Sequence, residues 1–319
     1  MIAVEHVPVL YGEVLAGLDV RAGGRYIDCT AGSGGHAAGI LEASAPDGAL
    51  LALDTDPEAI RRTRDTLGSS GVRLQLVQAN FRDLAVVARR EGWSAVDGIL
   101  FDLGVSSPQI ATPERGFSFQ EDGPLDMRMD PRGPRTAADL VNTLPDSELS
   151  AIFRQYGEEP QAGRIAAAIV RYRVQAPIRT TAQMAALVAG VKGGRGRIHP
   201  ATTVFQALRI AVNDELASLA AALPQAVGLL RPGGRLAVIA FHSLEDRIVK
   251  RYLHDEAKEC RCPPQQPVCT CDRQPPLRLL GRHAVQASEA ETGRNPRARS
   301  ARLRVAERLC YPTERSERG

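Results

Sequence analysis

Three short apolar runs, at residues 26–29, 49–54 and 72–77, are each followed by a segment with helical spacing, and a fourth, at residues 98–102, is followed by none. The rhythm resumes only at residues 235–241, which read as a fifth strand. Strands that alternate with helices are joined by crossovers, so the expected fold class is α/β with a parallel sheet. Where the rhythm stops, the spacing turns helical. Residues 146–156, 161–173, 181–191 and 202–222 carry helical apolar periods, broken by Pro160, Pro177 and the loop Gly193-Gly194-Arg195-Gly196. A helical insertion at residues 108–213 is therefore predicted within a discontinuous domain of residues 1–107 and 214–319. Asp56 followed by Pro57 predicts the start of one sheet-covering helix, and Gly68 its end.

At 319 residues, with 44% hydrophobic and 24% charged side chains, the composition is that of a globular chain rather than a disordered one. No apolar run is long enough to span a membrane, and no basic leader precedes Glu5 and Glu13, so neither a transmembrane helix nor a secretory signal is expected. A cytoplasmic protein with no membrane partner is the working reading. No feature of the sequence sets an oligomeric state. Net charge is only +3, but its distribution is uneven. From Arg164 to Asn213 there is no Asp or Glu, while Arg164, Arg171, Arg173, Arg179, Lys192, Arg195, Arg197 and Arg209 are present. A second block, Arg294, Arg297, Arg299, Arg302, Arg304 and Arg308, contains one acid, Glu307. Either block is a solvated face or a surface for phosphates; the long acid-free stretch favours phosphates.

The fourth strand ends in Asp102-Leu103-Gly104-Val105-Ser106-Ser107-Pro108-Gln109, with a polar stretch running on to Asp130. Open α/β sheets bind ligands beyond the carboxyl ends of their strands, so this run is a candidate site. The first strand ends in Asp28-Cys29-Thr30-Ala31-Gly32-Ser33-Gly34-Gly35-His36-Ala37, a glycine-rich turn into a helix. Taken alone it is a tight turn without a ligand, or a loose dinucleotide fingerprint carried by Gly32, Gly34 and Ala37. Asp54, about 20 residues beyond, stands where a carboxylate accepts ribose hydroxyls. Two features favour S-adenosylmethionine over a dinucleotide. Asp28 suits the cationic amino-acid end of that cofactor and would oppose a pyrophosphate. The run Leu230-Arg231-Pro232-Gly233-Gly234-Arg235-Leu236 resembles the turn that enters strand five in Rossmann-like methyltransferases. Phe81, after Asn80, offers an aromatic face for adenine or is ordinary core packing.

The resemblance then becomes specific. The segments Gly34-Gly35-His36, Asp102 to Gln109 as quoted, Glu114-Arg115-Gly116-Phe117-Ser118-Phe119, Asp122-Gly123-Pro124-Leu125-Asp126-Met127-Arg128-Met129-Asp130, His199-Pro200-Ala201-Thr202, Phe241-His242-Ser243-Leu244-Glu245-Asp246-Arg247 and Asn295-Pro296-Arg297-Ala298-Arg299-Ser300 resemble those of the bacterial 16S ribosomal RNA cytosine N4-methyltransferases, the RsmH or MraW family. The likeness runs from His6 to about residue 308. It implies a Rossmann-like class I methyltransferase sheet with an inserted helical domain that recognises RNA. The implied reaction moves a methyl group from S-adenosylmethionine to N4 of a decoding-centre cytosine, cytosine 1402 in the family, on the 16S RNA of the 30S subunit. The cofactor contacts it implies are Gly34, Gly35, His36, Asp54, Phe81, Asp102 and Gln109.

The exocyclic amine of cytosine is a poor nucleophile because its lone pair is delocalised into the ring. Transfer therefore depends on in-line placement and on acceptors for the amine hydrogens. Asp102 is the first candidate, with Ser106, Ser107 and Pro108 beside it, but the Asp-Pro-Pro-Tyr-type motif of many amino-methyltransferases is absent. His242, with Glu245 and Asp246, follows strand five and either moves a proton or is structural. Arg115, Arg128 and Arg132 either pair with Asp126 and Asp130 or hold phosphates.

Four of the six cysteines, Cys260, Cys262, Cys269 and Cys271, form two Cys-x-Cys pairs in a proline-rich stretch. In a reducing compartment they are a thiolate site for structural zinc or simply reduced thiols. Two other functions share part of the pattern. A nicotinamide-dependent oxidoreductase would use the glycine turn and Asp54 but leaves residues 102–130 unexplained. A ribosome-assembly factor that binds RNA without turnover would make the cofactor site vestigial.

Overall fold

The computed structural model describes residues 8–68, 71–193, 199–260, 262–263, 266, 268, 270–271 and 273–310. The chain divides into two compact units, residues 1–104 with 217–319 and residues 105–216. These junctions lie a few residues from the ones drawn at 107/108 and 213/214.

Among the described residues, the first unit is built on seven strands: β1 (Arg25–Asp28), β2 (Ala49–Asp54), β3 (Leu74–Gln78), β4 (Val96–Asp102), β5 (Leu230–Ala240), β6 (Leu277–Leu279) and β7 (Arg302–Arg308). Their order is β3-β2-β1-β4-β5-β7-β6. The first five are parallel, and β7 is antiparallel to both its neighbours. This is the expected Rossmann-like class I methyltransferase sheet, and its strand order reverses between β1 and β4.

The described helices run α1 (Tyr11–Leu18), α2 (Gly35–Ala43), α3 (Pro57–Leu67), α4 (Leu84–Arg90), α5 (Ser107–Ala111), α6 (Ala137–Thr143) and α7 (Asp146–Gly157). They continue with α8 (Ala162–Gln175), α9 (Thr181–Lys192), α10 (Thr202–Asn213), α11 (Glu215–Leu229), α12 (Ser243–Glu256) and α13 (Glu289–Arg294).

Successive strand side chains point to opposite faces, so the apolar runs sort into two cores. Ile27, Leu51, Ile99 and Val238 pack with Leu84, Leu219, Leu223 and Val249 on one face. Tyr26, Leu50, Leu100 and Ile239 pack with Leu10, Val14, Ile40 and Leu303 on the other. Each such large side chain contributes about 1.5–3 kcal/mol on burial, which fixes the register of the central strands. Asp56 accepts the Glu58 N–H as the cap of α3, with Pro57 in its first turn, and Gly68 ends the helix at φ +52°, as predicted.

Several elements differ from expectation. β3 begins at Leu74, after a 3₁₀ turn that leaves Val72 fully exposed. The expected helix at 202–222 is two helices, because Asp214 takes a left-handed conformation at φ +51°. β6 and β7 were not foreseen. Residues 230–234, expected as a turn before the fifth strand, belong to β5 itself: Val96 pairs with Leu230 and Gly98 with Arg235, so the intervening residues bulge outward around Gly233 at φ +80°.

The second unit packs α6–α10 around Leu140, Phe153, Ile165, Ile169, Met184, Val188, Val204 and Leu208. Thr136 and Thr180 start α6 and α9 with capping boxes, each hydroxyl accepting a backbone N–H three residues on.

Candidate cofactor and active site

Three carboxylates stand at the carboxyl ends of neighbouring strands: Asp54 on β2, Asp28 on β1 and Asp102 on β4. β1 and β4 flank the reversal of strand order, the position where such sheets leave a crevice. Asp28 is 1% exposed; its Oδ1 accepts the Thr30 N–H at 3.0 Å and the Thr30 hydroxyl at 3.3 Å, while its Oδ2 has no hydrogen-bond partner. Burial, reinforced by nearby Asp54, pushes its pKa up to about 7 despite the bonds from Thr30. Asp102 Oδ1 is likewise without a partner. Burial around Oδ1, with Asp28 and Glu245 adding repulsion, pushes Asp102 up to about 8. The two tips are joined by Thr30, whose hydroxyl accepts the Asp102 backbone N–H at 2.7 Å. Thr30 was not among the residues expected from the sequence, although a hydroxyl two residues after a strand-tip carboxylate is a legible signal.

Asp54 is held differently. Its Oδ2 accepts the Gly32 N–H and its Oδ1 the Asp56 N–H, both at 2.9 Å, which braces the glycine turn against β2. Burial outweighs these bonds and pushes it up to about 6. Gly34 adopts φ +85° as the cap of α2, a conformation that favours glycine. Gly35 is required for packing, since a Cβ there would lie 2.4 Å from Pro8 Cγ. His36 is buried, its ring stacks on Tyr11 with centroids 6.2 Å apart, and neither ring nitrogen makes a hydrogen bond. Burial lowers its pKa to about 4, so the imidazole is neutral, with Nε2 3.6 Å from Asp102 Oδ2.

Phe81 packs edge-on against Phe101 with centroids 5.5 Å apart, yet remains partly exposed, so core packing accounts for one edge of the ring. Asn80 Oδ1 is used locally, accepting the Arg82 N–H. Ser106 and Gln109 lie in the second unit and engage each other: the Ser106 hydroxyl accepts the Gln109 N–H, and Gln109 Oε1 accepts the Ser106 N–H at 2.9 Å. Ser107 and Pro108 form the first turn of α5. His242 caps α12, its Nδ1 accepting the Glu245 N–H at 3.4 Å, while Nε2 lies 3.1 Å from Glu245 Oε1. Glu245 Oε2 accepts the Phe241 N–H. This reciprocal cap gives His242 a structural task at the end of β5.

The arginines also find partners. Arg128 forks onto Asp126 with bonds of 2.8 and 2.7 Å, Arg132 onto Asp130, and Arg115 donates to the carbonyls of Arg128 and Met129. Lys192 and Arg209, inside the acid-free stretch, are paired by Glu159 and Glu215 from outside it, and Arg173 donates to the carbonyls of Val141 and Leu144. A lack of acids along the sequence therefore does not leave every cation unpaired; Arg164, Arg171 and Arg179 are the exposed ones, and Arg195 and Arg197 lie outside the described residues. In the second basic block, Arg304 and Arg302 bind Asp246, holding it below the usual carboxylate range against the effect of burial. Arg308 donates to the carbonyls of Val227, Gly228 and Leu230. Half of that block is therefore structural rather than a phosphate surface.

The donor set at the strand tips fits one kind of ligand. Two partnerless carboxylate oxygens in a crowded acidic crevice call for a cation and hydrogen-bond donors, which the ammonium, sulfonium and ribose of S-adenosylmethionine provide. A pyrophosphate would add negative charge to three carboxylates.

Comparison with known proteins gives the same answer. The family model described as the MraW methylase family matches residues 3–309. A protein of Thermomicrobium roseum named ribosomal RNA small subunit methyltransferase H is 59% identical over 307 residues, covering 96% of this chain and 94% of its own. Proteins of the same name from Symbiobacterium thermophilum and Dehalococcoides mccartyi are 53% and 52% identical, covering 96% and 98% of this chain and 98% and 89% of theirs. With that match over nearly its whole length, the chain belongs to the MraW methylase family.

Proposed function

We propose that this protein methylates small-subunit ribosomal RNA, using S-adenosylmethionine, at N4 of the decoding-centre cytosine that the family targets. The observation that carries the reading is the pair of partnerless oxygens, Asp28 Oδ2 and Asp102 Oδ1, on the two strands that flank the sheet's switch point. Bound S-adenosylmethionine supplies an electrophilic methyl group on a positively charged sulfur. Asp28 attracts the cationic end of that ligand, and Asp54 holds the glycine turn that Gly32 and Gly34 shape. Thr30 fixes the tip of β4, so that Asp102 is presented rigidly. Asp102 Oδ1 then accepts a hydrogen from the cytosine amine, which keeps the nitrogen lone pair turned outward and disperses the charge that develops as the new bond forms. A nearby cation favours the ionised carboxylate and draws its pKa down from about 8.

The helical unit of residues 105–216 serves as the RNA-recognition domain in this reading, with exposed Arg164, Arg171 and Arg179 meeting phosphates. The target base is taken out of its stack to reach Asp102. No described helix is long and apolar enough to cross a membrane, and the substrate places the protein in the cytoplasm. A zinc ion at the cysteine loop would be structural and take no part in transfer.

Nucleoside mass spectrometry of 16S RNA from cells with and without the protein tests this directly. N4-methylcytidine present only with the protein is the expected result, and its unchanged level in both removes the assignment. Transfer to purified unmodified subunits, with naked 16S RNA in parallel, separates a particle substrate from a free RNA.

A further inference from the structure

Among the described residues of the chain between α12 and β6, residues 257–276, no apolar core is formed. None of its described residues is buried, and Val268 is 69% exposed. Prolines at 263, 264, 267, 275 and 276 exclude a helix or an interior strand. Ordering such a segment against its conformational entropy requires something other than apolar burial. One staple is visible at its base, where the Arg273 guanidinium donates to the carbonyls of Asp255 and Lys258 and to Glu256 Oε2. This closes the two ends of the excursion on each other.

The second staple lies further out. The Sγ atoms of Cys260, Cys262 and Cys271 all fall within 4.8 Å of one another, although Cys271 is far from the other two along the chain. Four sulfurs at about 2.3 Å from a tetrahedral zinc stand roughly 3.8 Å apart, so these three need contract by only about 1 Å to share one ion. Backbone order adds to this: the Cys262 N–H donates to Cys260 Sγ at 3.3 Å, the type of contact that orients a thiolate toward a metal. Cys269, the remaining member of the sequence cluster, lies outside the described residues.

We infer that Cys260, Cys262 and Cys271 are ligands of one structural zinc ion, which orders the surface loop between α12 and β6. The ion neutralises the thiolates and replaces the missing core as the loop's cross-link. It is remote in role from methyl transfer, so loop order and metal content move together while cofactor binding does not.

The test uses the full-length protein, purified without chelator or histidine tag and kept under reducing conditions. About one zinc per chain by elemental mass spectrometry is expected, together with a thiolate-to-metal charge-transfer band on cobalt substitution. Cys262→Ser and Cys271→Ser should each lower metal content by about tenfold or more and open the loop to trypsin at Lys258 and Arg273, with S-adenosylmethionine affinity unchanged. Metal content near zero after incubation with one equivalent of zinc overturns the inference. So does a loop whose trypsin resistance is the same before and after chelation, or a mass that shows these cysteines joined as disulfides in the freshly purified protein.

Discussion

The Thr30 hydroxyl accepts the backbone N–H of Asp102 at 2.7 Å, and with its own hydrogen reaches Asp28 Oδ1 at 3.3 Å. One side chain thus spans the two strands between which the sheet reverses its order. Replacing it with valine keeps the shape and removes both bonds. Thr30→Val is expected to cost about 1 kcal/mol of stability, read as a lower Tm, and to lower kcat more than it raises KM for the RNA. Thr30→Ser should restore both. A valine variant with unchanged kcat would deny the hydroxyl any part in presenting Asp102.

Asp102→Asn keeps the size of the side chain and removes its charge. Turnover should fall roughly 100-fold, the usual scale for loss of a proton acceptor. In the native enzyme kcat/KM for S-adenosylmethionine should rise with pH towards a plateau above about 8, because only the ionised carboxylate accepts and the cofactor-free enzyme holds it protonated below that value. The asparagine variant should lack that limb. Full turnover in the variant would exclude the role.

The strand-tip acids also make stability depend on pH. Asp54, Asp28 and Asp102 titrate at about 6, 7 and 8 in the folded protein, all above their ordinary value of 3.8. Between the ordinary and the raised values the folded state holds more protons than the unfolded chain, so stability is greatest at the acid side and falls as pH rises through this window. Ligand-free Tm should drop by several degrees between about pH 5 and about pH 8, and S-adenosylmethionine should flatten the slope by supplying positive charge. Asp28→Asn should raise the ligand-free Tm at the alkaline end. A flat or rising profile would contradict the account.

Gly116 has φ +70°, and a Cβ there would lie 2.2 Å from the Pro124 carbonyl oxygen. Gly116→Ala is expected to cost about 2 kcal/mol or more, measured by denaturant unfolding. Gly190, inside α9, has no atom within 4 Å of the position a Cβ would take, so Gly190→Ala should stabilise by about 0.5–1 kcal/mol. Equal effects at the two positions would refute the geometric argument.

Two arginine classes should separate cleanly. Arg164→Ala with Arg171→Ala removes exposed charges, so RNA affinity should fall and its salt dependence flatten, with Tm unchanged. Arg304→Ala strips Asp246 of its main partner and should cost about 2 kcal/mol, with Arg302 still 3.4 Å away to limit the loss. Its effect on RNA affinity of the folded protein should be small. The reverse pattern would mean that the acid-free surface is not the one that meets RNA.

The legible parts of the molecule were those where local chemistry and tertiary structure agree. The apolar runs that became β1, β2, β4 and β5 are buried on both faces, so nothing about them alternates and they stand out as blocks. The strand-tip position of Asp28, Asp54 and Asp102 followed from where those blocks end. β7 was hidden because its strand carries Arg302, Arg304 and Arg308 among Leu303 and Val305, and the charges read as a phosphate surface. Their acceptors, Asp246 and the carbonyls of residues 227–230, are distant in sequence. The same blindness applied to Lys192 and Arg209. α6 was missed for want of length, though Thr136 with Asp139 announces its start. At Asp214 the helix breaks at a residue with no glycine or proline to mark it. The reciprocal caps of Ser106 with Gln109 and of His242 with Glu245 were visible as residue types but read as chemistry, because a capping box and a catalytic cluster draw on the same side chains.

The place of β7 also sets a timetable for synthesis. It lies between β5 and β6, yet is made after both. On the ribosome, the edge of β5 stays open until residues 302–308 emerge, whereas residues 105–216 form a contiguous block whose core is complete long before. The nascent helical unit can therefore fold first and tether the waiting halves of the sheet. Closure of the central scaffold therefore waits on the strand that is made last of the seven, and the hydrogen bonds from Arg308 to the end of α11 and the start of β5 form with it.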